Sequence, residues 1–306
     1  MSEAFDTVAI VGIGLIGSSI ALAAREHGAA KRVVLFDASA DVRDQARALK
    51  LGEVVDSAAE AAKDADLVIL APPVGAMGAA AEAICPHMKP GAVLSDVGSV
   101  KCAVRDAVVP HIPAHIFFVP GHPLAGTERS GPDAGFASLF EGRWQIVTPL
   151  PDARPDYAQA VEKLARFWRQ LGANVETMDI ARHDVVLAVT SHLPHLIAFN
   201  IVAMAEDMET VTESEVVKYS ASGFRDFTRI AASDPTMWRD VFLNNREAVL
   251  ETLGRFTEDL AALQRAIRWG DGKQLYDLFD RARRMRREVI EAGQDSAAPN
   301  WGRDET

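Results

Sequence analysis

The sequence predicts an α/β fold, a doubly wound parallel sheet of the Rossmann type, followed by an all-α region. Three observations carry this reading. Short apolar runs alternate with helix-length segments through the first part of the chain. A glycine-rich turn, Gly12-Ile13-Gly14-Leu15-Ile16-Gly17, joins the first of those runs to the first helix. Beyond Ile180 no strand pattern occurs and the apolar spacing becomes helical.

The elements follow in order. Residues 7–13 are β-rich and end at the glycine turn, and 16–27 read as a helix of small residues. Residues 32–36 form a second apolar strand closed by Asp37, and 40–49 a second helix. Residues 67–71 are a strand stopped by Pro72-Pro73, 76–88 a helix, and 92–96 a strand ending at Asp96. Continuous apolar strands between helices indicate a sheet covered on both faces. Residues 116–119 are strand-like and lead into Gly121-His122-Pro123-Leu124-Ala125-Gly126-Thr127, read as a tight loop. Residues 144–148 and 174–177 are expected as edge strands, with a helix over 155–171. Helical periodicity covers 184–208, 214–232, 235–263 and 273–291. The expected organisation is a nucleotide-binding domain over 1–179, a helical domain over 180–292, and a polar tail over 293–306 that is expected to be disordered.

Composition narrows the function classes. The formal charge of −11 argues against a nucleic-acid partner, which needs Lys and Arg in excess. One local arginine would still hold an anionic substrate. Two cysteines, Cys85 and Cys102, give neither a disulfide framework nor metal-ligand spacing, and both read as small apolar residues in a reducing cytoplasm. The first residues show no signal-peptide pattern. No uninterrupted apolar run approaches the roughly 20 residues of a membrane helix, so no membrane association is expected.

The glycine turn has the G-x-G-x-x-G spacing between a strand and a helix, the context of dinucleotide binding. Gly12 permits the turn, Gly14 lets a pyrophosphate approach the backbone, and Gly17 lets helix and strand pack closely. The amides of Leu15 and Ile16 at the helix start would face the anion. Asp37 follows Gly17 by 20 residues, where a carboxylate accepts from the adenosine ribose and repels a 2′-phosphate. NAD is therefore expected over NADP. Pro72 and Asp96, at the ends of two further strands, are expected to line the same cofactor site.

Four stretches beyond that turn carry chemistry: Asp96-Val97-Gly98-Ser99-Val100-Lys101, the His122 loop, Ser191-His192-Leu193-Pro194-His195, and Gly223-Phe224-Arg225-Asp226-Phe227-Thr228-Arg229. Simpler readings stand beside each. A loop histidine next to proline can cap a turn. His183, His192 and His195 could be argued into a metal site, but no HExxH pattern or nearby cysteine supports it, and no metal is expected. Asp226 and Arg229, at i and i+3, read as a surface pair. Phe224 and Phe227 read as core. The arginines between 281 and 287 read as a solvated helix face or a subunit contact.

With these residues in view, the chain resembles the prephenate/arogenate (cyclohexadienyl) dehydrogenase family. The matching stretches are Gly12 to Gly17, Asp96 to Lys101, Gly121 to Glu128, Thr190 to His195 and Gly223 to Ala231, in the family's order. The resemblance implies hydride transfer from substrate C4 to NAD, removal of the C4 hydroxyl proton by a base, and loss of the ring carboxylate as CO2. It implies His122 as the catalytic base and Ser99 as the serine that orients it. It implies Arg229 as the ligand of a substrate carboxylate, Ser191 and His195 as polar contacts, and Thr127 as a wall of the same pocket. A homodimer through the helical domain is implied too, with Trp238 resembling a position that the partner subunit supplies. The sequence departs from some relatives at Ser222, where they carry a second glycine. No fused chorismate mutase segment is expected before Thr7, and no regulatory domain after Glu291. Prephenate and arogenate are not distinguished by any residue. The alternatives are a β-hydroxyacid dehydrogenase or imine reductase, which usually place lysine or another polar group in the catalytic role, and a non-catalytic NAD-binding sensor, which could dispense with His122, Ser99 and Arg229 together.

Overall fold

A computed structural model describes residues 4–212 and 221–291, with the side chains of 209–212 left aside. The expected tail over 293–306 and the first part of the helix expected over 214–232 lie outside the described residues. The chain divides into two compact units, Met1–Val249 and Leu250–Thr306.

In the first unit, six parallel strands form one sheet: β1 (Phe5–Val11), β2 (Ala30–Phe36), β3 (Glu53–Val54), β4 (Leu67–Leu70), β5 (Val93–Asp96) and β6 (Phe117–Phe118). Their order is β3-β2-β1-β4-β5-β6. The chain reverses its direction of winding between β1 and β4, which opens a crevice at the strands' carboxyl ends. β3 carries no apolar run of its own, which is why its pattern is missed in the sequence. Val8, Ala9 and Ile10 on β1 and Leu67 through Leu70 on β4 are fully buried.

Helices cover both faces. α1 (Leu15–Glu26) buries Gly17, Ser18, Ser19, Ala21, Ala23 and Ala24, small residues that let its axis lie close to the sheet. Phe140, Phe167 and Trp168 fill that face; the last two belong to α6 (Tyr157–Gln170). α2 (Ala40–Ala48) and α3 (Ala58–Ala62) are capped by Ser39 and Ser57. On the opposite face α4 (Met77–Ile84) and α5 (Lys101–Val108) bury Met77, Ile84, Val104 and Val108.

Residues 144–148 and 174–177 do form strands, β8 (Trp144–Val147) and β9 (Asn174–Thr177), but not as edges of the main sheet. They make a second, three-stranded sheet with β7 (Gly121–Pro123), in the order β7-β8-β9. The expected His122 loop is thus a strand: β7 runs antiparallel to β8, with His122 opposite Ile146. Gly121 permits this, since a Cβ there would lie 2.5 Å from the Gln145 amide nitrogen.

The helical region starts at Asp179, whose carboxylate accepts from the Ala181 and Arg182 amides and opens α7 (Ile180–Leu187). A π-helical turn, Ala188–His192, joins α7 to α8 (Leu193–Thr212). Pro194 explains the widened turn, because it has no N–H for the preceding helical turn. α9 (Ser222–Thr228) and α10 (Pro235–Asn244) follow. The helix expected over 235–263 is broken at Asn245, and α11 (Arg246–Trp269) begins after it. α10 returns to the α4–α5 face, where Trp238 and Val241 join the core. In the second unit α12 (Gly272–Glu291) is exposed along its length, and Arg284 pairs with Asp280 one turn away.

One stretch, Ile180–Met208, is long and apolar enough to cross a membrane by length and composition alone, a test different from the one behind the expectation above. That expectation counted unbroken apolar runs, and His183, Asp184, His192 and His195 interrupt this one.

Candidate active site

The glycine turn lies at the sheet's switch point. Gly12 has φ +101°, and a Cβ there would lie 2.6 Å from the Ala71 carbonyl carbon and 2.7 Å from the Pro72 nitrogen. A Cβ on Gly17 would lie 2.0 Å from the Gly12 oxygen, whereas one on Gly14 would meet nothing within 4 Å. The turn is closed on the protein side and open at Gly14. α1 starts there with no side-chain cap, leaving the Leu15 and Ile16 end of the helix to an anion. Asp37 ends β2 with its carboxylate held by the Ile13 and Ser39 amides, at 2.8 and 2.9 Å. The open backbone, uncapped helix and held carboxylate fit a dinucleotide without a 2′-phosphate. Asp96 is different: it is fully buried, ion-paired with Lys101, and accepts from the Gly98 amide at 2.8 Å. Its side chain serves the turn after β5.

The second part of the site is built on β7, α5 and α7. Lys101 is fully buried and also donates to the Gly121 carbonyl at 2.6 Å, pinning β7 next to His122. His122 is buried, and its Nδ1 lies 2.9 Å from Nε2 of His183. His183 Nδ1 in turn lies 2.8 Å from Asp184 Oδ1. The Asp184 carboxylate accepts from the Lys101 and Cys102 amides at 2.7 and 2.8 Å, so it closes the N-terminus of α5 from a helix some 80 residues later in the chain. Asn245 donates to the Asp184 carbonyl at 2.9 Å and lies 3.0 Å from His192 Nδ1. Ser99 is half-buried on the turn before α5, and no side-chain hydrogen bond joins it to His122 among the described residues; the ring's hydrogen bond is with His183.

The third part lies on α8 and α9. His195 Nδ1 donates to the Ser191 carbonyl at 2.9 Å, and its ring stacks on Trp238 with centroids 3.7 Å apart. Trp238, expected from a partner subunit, sits against this chain's own His195. Arg229 reaches Glu128 at 3.2 Å, replacing the expected pair with Asp226. It is 56% exposed, and Glu128 is 22% exposed. Thr127 is half-buried beside Glu128, where its hydroxyl accepts from the Arg129 amide at 3.2 Å. Phe227, expected in the core, is exposed.

Burial pushes His122 well below the usual histidine value, and nearby His183, Lys101 and His192 add to the shift. Burial also lowers His183 against the opposing pull of Asp184. Burial lowers His192 to about 4, and His195 shifts down through burial and the charge of Arg229. These couplings link Arg229, His195, His192, His183 and His122 as neighbours. Burial raises the Cys85 and Cys102 thiols to about 11 and about 12, so neither is a nucleophile at neutral pH.

Each of these histidines binds its proton more weakly folded than unfolded, so acid favours unfolding. The stability tied to neutral His192 is complete above about pH 6.5 and is lost as pH falls from there to about 4, on the order of 3 kcal/mol. His122 and His183 act in the same direction. The melting temperature is expected to fall from pH 7 to pH 4.5. His192→Asn, which keeps an acceptor for Asn245, should flatten part of that fall; an unchanged slope would remove His192 from this account.

His183, Asp184 and Asn245 were not expected at the site, and Lys101 and Glu128, though inside stretches singled out above, were given no role of their own. A signal existed for His183 and His192: both are polar residues on the buried face of an apolar helix, where burial has to be explained by hydrogen bonds.

Comparison with known proteins gives consistent findings. The family model "Prephenate dehydrogenase, nucleotide-binding domain" matches residues 20–177, and "Prephenate dehydrogenase, dimerization domain" matches 179–281. The chain is 44% identical over 283 residues to a cyclohexadienyl dehydrogenase of Zymomonas mobilis, covering 92% of this chain and 95% of the relative. It is 34% identical over 290 residues to a prephenate dehydrogenase of Bacillus subtilis, covering 94% and 76%. The structure resembles that of Aquifex aeolicus prephenate dehydrogenase in complex with hydroxyphenyl propionate and NAD+, with TM-score 0.85, 32% identity, and coverage of 94% and 99%.

Proposed function

This chain belongs to the prephenate dehydrogenase family, and from that premise we propose that it oxidatively decarboxylates prephenate, arogenate or both in tyrosine biosynthesis. It is an NAD-dependent oxidoreductase. The observation that carries the substrate reading is His122: a buried imidazole, held neutral at physiological pH, on a strand that Lys101 ties to the end of β5.

The substrates have a C4 hydroxyl, a ring carboxylate and a three-carbon side chain, keto in prephenate and amino in arogenate. His122 takes the hydroxyl proton, a role suited to an unprotonated imidazole. Gly12, Gly14, Leu15, Ile16, Gly17, Asp37 and Pro72 would hold NAD, which when bound would supply the acceptor for the hydride from C4. The new C4 carbonyl is vinylogous to the ring carboxylate, so CO2 leaves and its bonding pair enters the ring. The C4 oxygen becomes a phenolate, and His122 returns its proton there. Over one turnover the base ends as it began.

Arg229 takes a substrate carboxylate, exchanging Glu128 for a partner that a guanidinium can grip bidentately. Ser191, His195 and Thr127 surround the rest of the substrate. Residues 180–292 form the substrate domain and pair two copies into a homodimer, which would cover the exposed Val185, Val189, Met204 and Met208. The free thiols of Cys85 and Cys102 are in keeping with a cytoplasmic enzyme.

The test is direct. Purified full-length chain with NAD and either prephenate or arogenate should produce NADH, followed by absorbance, together with 4-hydroxyphenylpyruvate or tyrosine. No turnover with either substrate would sink the reading, and the ratio of the two rates assigns the preference.

A further inference from the structure

We propose that His183 and Asp184 are positioning residues that decide which ring nitrogen of His122 receives the substrate's proton. The inference rests on His122 being the base, and it concerns a pair of buried groups that the reaction above leaves unused.

The argument follows the direction of each hydrogen bond. Asp184 accepts from two backbone amides, Lys101 N and Cys102 N. Burial alone would raise its carboxyl, but the hydrogen bond from His183 and those two amides outweigh burial and hold it below the usual carboxylate range. It is therefore an ionised acceptor at neutral pH. His183 Nδ1, 2.8 Å from Asp184 Oδ1, must carry hydrogen. His183 is neutral, so its Nε2 carries a lone pair. That nitrogen lies 2.9 Å from His122 Nδ1, so His122 Nδ1 must be the donor. His122 Nε2 is left as the lone pair, and it is the nitrogen available to a hydroxyl proton.

The order Asp184, His183, His122 thus has one sense, set at its far end by the start of α5. Without it, a neutral imidazole could place its hydrogen on either nitrogen, and one of the two forms has no lone pair at Nε2. The same order supports the protonated state: when Nε2 binds the substrate's proton, positive charge on His122 is stabilised through His183 by the Asp184 carboxylate. Burial, then His183, Lys101 and His192, oppose that charge, and the hydrogen-bonded order to the Asp184 carboxylate is what acts against them.

Two variants of the full chain test this. His183→Phe removes the acceptor for His122 Nδ1, whereas His183→Gln keeps an amide oxygen near the Nε2 position. His183→Phe is expected to lower kcat about 100-fold or more, as a wrong tautomer of a catalytic base does, with substrate KM and NAD dissociation constant changed less than about 3-fold and the acid limb of kcat against pH displaced. His183→Gln should recover most of kcat. Near-parental kcat in His183→Phe, or equal loss in both variants, would overturn the positioning role. If His183→Phe does not fold, nitrogen NMR of the histidine rings in the parent protein decides: Nδ1 protonated and Nε2 bare on His122 is expected, and the reverse overturns it. A His122→Asn protein that still turns over would instead remove the base, a separate failure.

Discussion

His122→Asn is expected to lower turnover by about two to four orders of magnitude and to leave NAD affinity unchanged. The asparagine amide overlaps the Nδ1 edge of the ring, so the hydrogen bond to His183 and the packing of β7 survive. Nothing then occupies the Nε2 position, and the C4 hydroxyl has no acceptor for its proton. NAD should bind as before, because the open turn at Gly14 and the carboxylate of Asp37 lie on other elements. Titration of NAD by intrinsic fluorescence, with kcat from NADH production, separates the two effects. A variant within tenfold of the parent would take His122 out of the chemistry. The parent's kcat/KM should also keep its activity below pH 6.5 on the acid side, since burial holds His122 neutral there.

Arg229→Ala should act on substrate binding. A charge-assisted pair contributes roughly 1.5–3 kcal/mol, so KM is expected to rise about 10- to 100-fold, with a smaller change in kcat. Glu128 competes for the same guanidinium. Glu128→Gln should therefore lower KM by freeing Arg229, and the two substitutions together should not add. An unchanged KM with weakened NAD binding in Arg229→Ala would show that the arginine serves the cofactor.

The cofactor half of the site was legible because its chemistry is local. Gly12, Gly14 and Gly17 lie within six residues on one turn, and Asp37 ends the next strand, so spacing alone carries the geometry. The catalytic half was legible only in part. His122 stands out among Gly121 and Pro123, but its strand depends on β8, which is 20 residues away and gives no local sign of the pairing. His183 and Asp184 meet His122 and the start of α5 only through tertiary packing, and no periodicity encodes that meeting. Arg229 was placed beside Asp226 because i,i+3 neighbours are the default on a helix; α9 ends at Thr228, which frees Arg229 to reach Glu128 instead. Likewise the break at Asn245 follows from its amide being drawn to Asp184 and His192, a cause distant in sequence.

The π-helical turn at Ala188–His192 has an angular consequence. His183 and His192 are nine residues apart, and at about 100° per residue an α-helix would turn through two and a half circles between them. The two rings would then point in opposite directions. A widened turn absorbs one residue, so the separation counts as eight steps and the rings fall about 80° apart. Asn245 can then reach both the Asp184 backbone and His192 from a single position. Pro194 thus acts at a distance from the chemistry: by unsettling the turn before it, it sets the azimuth of every polar side chain that α8 adds to the site.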